Sequence, residues 1–182
     1  MSKIVAFVGS PRKNGFSTTL LNQVLEGAKA AGAEVVVYDL NGENIKGCQG
    51  CSYCRTHEGC ATQDSLQPMY KDIQEATGIV ASFPIYMCGI SAQAKAWLDR
   101  MYPMWDNSMV PRYPGKKAVA IYSQGNGDPN CFKNTIDGNN MFFNMFGWDL
   151  VKSFLLHNTS DPNTAIEEIA LQEAYNIGQT LI

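Results

Sequence analysis

Five short apolar runs recur along the chain, and a stretch long enough for a helix separates each from the next. The runs are Lys3–Gly9, Glu34–Leu40, Gly78–Phe83, Lys116–Ser123 and Trp148–Leu156. Continuous apolar, β-branched stretches of this length fit strands buried on both faces. Between the first two, Ser17–Ala31 carries Leu20, Leu21, Val24, Leu25 and Ala28 at helical spacing, and Gly32 is a stop signal. Helices are likewise expected over Asp64–Ala76 (Asp64 or Ser65 as N-cap), Ile90–Met101, Phe132–Phe146 and Pro162–Ile182. Pro84 is expected to end the third strand. Strands alternating with helices imply an α/β fold with a parallel sheet, and right-handed crossovers place helices on both of its faces.

The length of 182 residues suits a single domain, residues 1–182, with a cysteine-rich insertion at about 44–63. With 14 Lys+Arg against 17 Asp+Glu the net charge is −3, which argues against a general binder of nucleic acid or of an anionic membrane. No apolar run approaches the roughly 18 residues of a membrane span. The apolar start Ile4–Val8 is broken at once by Gly9, Ser10 and Pro11, so a cytoplasmic protein is expected.

In open parallel sheets ligands bind beyond the carboxyl ends of the strands. The polar segments after strands one, three and four are therefore where a site is expected. The first, Gly9–Thr19 (GSPRKNGFSTT), lies between a strand and a helix. Gly9 and Gly15 permit tight turns, Ser10, Ser17, Thr18 and Thr19 offer hydroxyls, and Arg12 offers a guanidinium. Added to the N–H groups and positive dipole end of the helix, these suit a phosphate monoester. The segment lacks both the Gly-Lys-Ser/Thr triplet of a Walker A loop and the Gly-x-Gly-x-x-Gly dinucleotide pattern. The plainer alternative is an ordinary capped turn with surface charges.

Four of the six cysteines fall in one segment, Cys48-x2-Cys51-x2-Cys54-x5-Cys60, while Cys88 and Cys131 stand apart. A tight cysteine cluster without a secretory signal points to metal or redox chemistry rather than a disulfide framework. Four such thiolates hold a [4Fe–4S] cluster or zinc. The run departs from the ferredoxin pattern in its last gap of five and in Ala61, where that pattern has proline. Gly47, Gly50 and Gly59 allow the backbone to approach a bound group closely. Thiols that hold no metal and simply pack or respond to oxidation are the third reading. His57 reads as a solvated loop residue.

Gly-Ser-Pro-Arg-x-x-Gly-x-Ser-Thr after the first strand, Pro84–Ser91 (PIYMCGIS) after the third, and the following Ala92–Arg100 (AQAKAWLDR) resemble the flavodoxin-like NAD(P)H-dependent FMN reductases. The resemblance extends over nearly the whole chain in the right order. It implies a flavodoxin-like three-layer sandwich, with a five-stranded parallel sheet in the order 2-1-3-4-5 and FMN where strands one and three diverge. It also implies that Ser10, Arg12, Ser17 and Thr18 hold the FMN phosphate. Pro84, Ile85, Tyr86, Met87 and Gly89 would border the ribityl chain and ring, with Tyr86 the expected ring neighbour, and Ser123, Gln124 and Gly125 would form a third wall. Asn126 departs from the more glycine-rich versions of that wall.

The cysteine spacing is similar to that of the iron–sulfur flavoproteins, a branch of the same family in which four cysteines hold [4Fe–4S] beside FMN. Cys48, Cys51, Cys54 and Cys60 are the implied ligands. The implied activity passes electrons from NAD(P)H through FMN to a small acceptor such as a quinone, a nitro compound or another flavin. The alternative is an electron carrier using FMN plus the cluster with a ferredoxin-like partner; a zinc-stapled interaction module is a third reading. A homodimer or homotetramer is implied. The aromatic loop bearing Tyr102, Met104, Trp105, Met109 and Tyr113 is expected to serve as an interface, as a lid over the flavin, or as internal packing. No side chain is singled out as catalytic.

Overall fold

A computed structural model describes residues 2–42, 44–161 and 163–182. The elements in chain order are β1 (Lys3–Val8), α1 (Phe16–Ala30), β2 (Glu34–Asp39), α2 (Gln67–Glu75), β3 (Gly78–Tyr86), β4 (Gly89–Ile90), α3 (Ala92–Asp99), β5 (Lys117–Ser123), α4 (Lys133–Met145), β6 (Asp149–Leu156) and α5 (Glu168–Gln179). The sheet runs β2-β1-β3-β5-β6, every neighbouring pair parallel, and β4 pairs antiparallel with the end of β3. With the two-residue β4 set aside, this is the expected order.

Alternation along β1 divides the core. Ile4, Ala6 and Val8 face α1 and α5, where they meet Leu20, Leu21, Val24, Leu25 and Ala28; Val5 and Phe7 face the opposite layer, with Met69 and Ile73 of α2, Trp97 of α3 and Phe143 of α4. On the first face α1 and α5 touch backbone to backbone. A Cβ at Gly27 would lie 1.9 Å from the Tyr175 carbonyl oxygen, and one at Gly178 2.0 Å from that of Val24.

Four expectations need correction. Pro84 does not end β3: the strand continues to Tyr86, and Pro84 stays in register with Ser123 of β5. The Ser82 carbonyl faces β1, where it accepts from Gly9 N. Pro84, two residues on, therefore turns its missing N–H to the same side, past the end of β1, where the ladder needs no donor. Its carbonyl accepts from Ser91 N instead.

Neither Asp64 nor Ser65 caps α2, which begins at Gln67 behind Leu66. The Asp64 carboxylate is engaged by the buried Arg100, and a buried guanidinium requires such a partner. The third helix starts at Ala92 because Gly89 and Ile90 fold back on β3; its N-cap is Ser91, whose hydroxyl accepts from Ala94 N and donates to the Gly9 carbonyl. The last helix begins at Glu168, and its expected start, Pro162, lies outside the described residues.

Candidate functional site

A cavity of about 410 Å³ opens at the carboxyl ends of β1, β3 and β5. Its first wall is the β1–α1 turn, with Ser10, Arg12, Gly15 and Ser17; its second is Ile85, Tyr86 and Met87; its third is Ser123, Gly125 and Asn126. Three segments that are far apart in the chain thus meet where the sequence analysis expected a site. Phe16, Phe132, Thr159 and Ser160 also line it. The last two come from the loop after β6, a fourth strand end whose only signal in the sequence is its pair of hydroxyls.

Four of the expected residues lie behind the walls. Thr18 Oγ1 donates to the Arg12 carbonyl at 3.2 Å, Pro84 is buried in β3, and Gly89 pairs with Tyr86. Gln124 is buried, and its Nε2 donates to the carbonyls of Asn126 and Asp128, holding the 124–128 turn in shape.

The first wall offers an anion free N–H donors and a positive helix end. Gly15 occupies the N-cap of α1, no side chain caps that helix end, and the first turn holds no acidic residue. The first N–H groups of a helix have no partner within it, and they carry the positive end of its dipole. Ser10 and Ser17, both buried, and the exposed Arg12 stand around this end.

The second wall carries backbone strain. Met87 (φ 46°) and Cys88 (φ 66°) turn the β3–β4 hairpin, both in the left-handed region. A two-residue turn of this kind normally calls for Asn-Gly. Met87 is 99% exposed at its tip, and Thr135 Oγ1 donates to the Cys88 carbonyl at 2.9 Å. Cys88→Gly is expected to raise stability by about 0.5–1 kcal/mol, the left-handed penalty less the added entropy of the unfolded chain. Urea midpoints at unchanged m-value test this, and an unmoved or lower midpoint would show that the hairpin is relaxed.

Cys48, Cys51, Cys54 and Cys60 all line a second cavity of about 220 Å³, and all are free thiols. Burial alone would push the Cys60 thiol up; hydrogen bonds with Thr62 and the charge of Arg100 outweigh it and hold the thiol below its ordinary value. Among the described residues, no three His, Cys, Asp or Glu side chains converge closely enough for one metal ion. His57 is stacked on Tyr53 at 4.1 Å and is not on the cavity wall.

None of the five singled-out residues of the aromatic loop lines the strand-end cavity. Met104 and Trp105 are buried, and Trp105 Nε1 donates to the Met145 carbonyl. Tyr102, Trp105 and Met109 instead border an apolar groove beside the cysteines, together with Cys48 and Gly50.

Comparison with known proteins places this geometry. Residues 2–160 match the family described as NADPH-dependent FMN reductase. An iron–sulfur flavoprotein of Methanocaldococcus jannaschii is 28% identical over 191 aligned residues, covering 97% of this chain and 94% of that protein. Another, of Methanosarcina thermophila, is 34% identical over 98 residues, covering 54% of this chain and 51% of that protein. An NAD(P)H:quinone oxidoreductase from Methanothermobacter marburgensis superposes at a TM-score of 0.75 and 20% identity, covering 100% of this chain and 99% of that one. The flavodoxin, WrbA-like protein of Agrobacterium tumefaciens gives a TM-score of 0.62 at 18% identity, covering 100% of this chain and 95% of that one. At such identities the two structures speak for the flavodoxin-like fold alone. The family match is broader in what it says: it spans every wall of the strand-end cavity, from Ser10 to Ser160, and the chain belongs to the NADPH-dependent FMN reductase family.

Proposed function

We propose that the strand-end cavity is the FMN site and that the chain passes electrons from NAD(P)H to a small acceptor such as a quinone, a nitro compound or another flavin. The observation that carries this is the uncapped N-terminus of α1, facing the same cavity as Ser10, Arg12 and Ser17 at the point where β1 and β3 lead their connections apart. When bound, FMN supplies hydride acceptance and one- or two-electron delivery. The chain's own part is position and electrostatics. Ser10, Ser17, Arg12 and the first N–H groups of α1 bind the phosphate. Ile85, Tyr86 and Met87 shield and orient the ring, while Ser123, Gly125 and Asn126 close the opposite side. Thr18, Pro84, Gly89 and Gln124 support these walls from behind.

A second reading is favoured by the four free thiols on one cavity. Four thiolates around one cavity are the donor set of a [4Fe–4S] cluster or of a zinc ion. We read Cys48, Cys51, Cys54 and Cys60 as ligands to a [4Fe–4S] cluster, which when bound supplies one-electron transfer and admits a ferredoxin-like partner. The iron–sulfur flavoproteins among the relatives support this reading by name. Exposed Tyr102, Met109, Met141 and Met145 fit a homodimer or homotetramer. Among the described residues no helix is long and apolar enough to cross a membrane.

Protein purified without oxygen is expected to show the two absorption bands of oxidised flavin, bleached by NADH or NADPH. A broad absorbance beneath them, with iron and sulfide by analysis, is expected if the cluster is present. Flavin bands that neither nicotinamide bleaches would sink the reductase reading in favour of the electron carrier. Protein that neither carries nor takes up FMN would overturn both.

A further inference from the structure

The side chain of Arg100, at the C-cap of α3, is completely buried, and each of its five N–H bonds has an acceptor. Nε donates to the Tyr70 hydroxyl at 3.3 Å. Nη1 donates to the Lys46 carbonyl at 2.9 Å and to Asp64 Oδ2 at 2.5 Å; Nη2 donates to the Thr62 carbonyl and to Asp64 Oδ1, both at 3.2 Å. Asp64 Oδ2 in turn accepts from Lys46 N at 3.1 Å. Lys46 stands two residues before Cys48 and Thr62 two after Cys60. One guanidinium therefore grips both ends of the segment that carries the four cysteines.

The middle of the segment is held separately. Arg55 donates to the carbonyls of Asp106 at 2.8 Å and Tyr102 at 2.7 Å, and its guanidinium lies 4.4 Å from the centre of the Tyr102 ring. Apart from the single 3-10 turn Tyr53–Arg55, residues 47–61 form no regular helix or strand. Their shape depends on such tethers, because a loop whose ends are unpinned keeps most of its conformational freedom.

We infer that Arg100, oriented by Asp64, is the positioning residue of the four-cysteine loop: it closes the loop's neck and so sets where the four thiols stand. Its importance for iron rests on the cluster reading above; its importance for loop order does not. The planar fork is essential to the role. It reaches two carbonyls from opposite ends of the loop while binding a carboxylate with both outer nitrogens, and the three donors of a lysine ammonium lack that geometry.

The test uses FMN-loaded protein and two variants. Arg100→Lys keeps the charge and loses the fork. Arg100→Met/Asp64→Leu replaces the ion pair with apolar groups, a change proteins often tolerate without loss of stability, and removes both grips on the neck. Retained FMN reports folding, since neither residue lines the strand-end cavity. In both variants amide exchange across residues 47–61 and trypsin cleavage after Arg55 should quicken by at least about tenfold, while exchange in the sheet stays unchanged. On supply of ferrous iron and sulfide without oxygen, bound iron per FMN should fall to less than about half of the wild-type level, with the ligand-to-iron absorbance falling in step. If wild type takes up no iron yet the variants still loosen the loop, the positioning role stands and the cluster reading fails. If FMN-bearing variants keep wild-type exchange across 47–61, the inference is overturned, whatever the iron content.

Discussion

Gly9→Ala is expected to cost most of the protein's stability. A Cβ at Gly9 would lie 2.3 Å from the Ser82 carbonyl oxygen and 2.8 Å from Ala94 Cβ. Neither neighbour can retreat easily. The Ser82 carbonyl accepts from Gly9 N, and Ala94 is fully buried in α3. Gly9 also receives the Ser91 hydroxyl on its own carbonyl at 2.7 Å, so the end of β1, β3 and the start of α3 converge on this one residue. Overpacking against rigid backbone falls at the upper end of single-substitution effects, about 3–5 kcal/mol. At roughly 2–4 °C per kcal/mol for a chain of this size, thermal melting should drop by about 6–20 °C. Because Ser10 follows directly, FMN retention should fall with it. A melting temperature within a degree or two of wild type would show that the three elements do not meet this closely.

Gly15→Asp is expected to leave the fold standing and abolish FMN binding. Gly15 has φ −74° and ψ 160°, extended backbone open to any residue. The new Cβ would lie 3.1 Å from Arg12 Cβ and 3.2 Å from Ser10 Oγ, close enough to require a shift of a few tenths of an ångström. Against that small strain, aspartate is among the best N-cap residues and complements the helix dipole, so apoprotein stability should stay within about 1 kcal/mol of wild type. The same carboxylate occupies the N–H groups that would otherwise face the phosphate and sets a negative charge beside it. Losing two charge-assisted hydrogen bonds, at roughly 1.5–3 kcal/mol each, weakens affinity by at least about 100-fold. Quenching of flavin fluorescence on titration of apoprotein measures this directly. Gly15→Asn separates the causes, since it caps the helix without adding charge and should weaken binding less. Wild-type affinity in Gly15→Asp would remove the phosphate from the end of α1, and the proposed function would lose its main support.

Much of this architecture was readable from residue order. Leu20, Leu21, Val24, Leu25 and Ala28 are spaced for one face of a helix, and that face is the one α1 buries. Ser10, Arg12 and Ser17, read as an anion site from a glycine-bearing turn between strand and helix, do line the cavity. What escaped notice has a common cause. Pro84 breaks most strands, and its tolerance here depends on where a different strand, β1, happens to end. The left-handed turn at Met87 and Cys88 carries no Asn-Gly signal and exists because β4 pairs back on β3. Thr159 and Ser160 reach the cavity only because Thr159 N is drawn to the Gln124 carbonyl across β5 and β6.

The sequence by itself determined the layered α/β architecture, three of the four strand ends that line the cavity and the set of four cysteines, because each is written in local periodicity or in spacing along a short segment. The tertiary structure alone decided that those cysteines share one cavity and that Arg100 grips both ends of the loop carrying them. Arg100 reads locally as a residue near the end of a helix. Its partners stand 54, 38, 36 and 30 positions away in the chain, and no periodicity can announce a contact that exists only once the layers have packed.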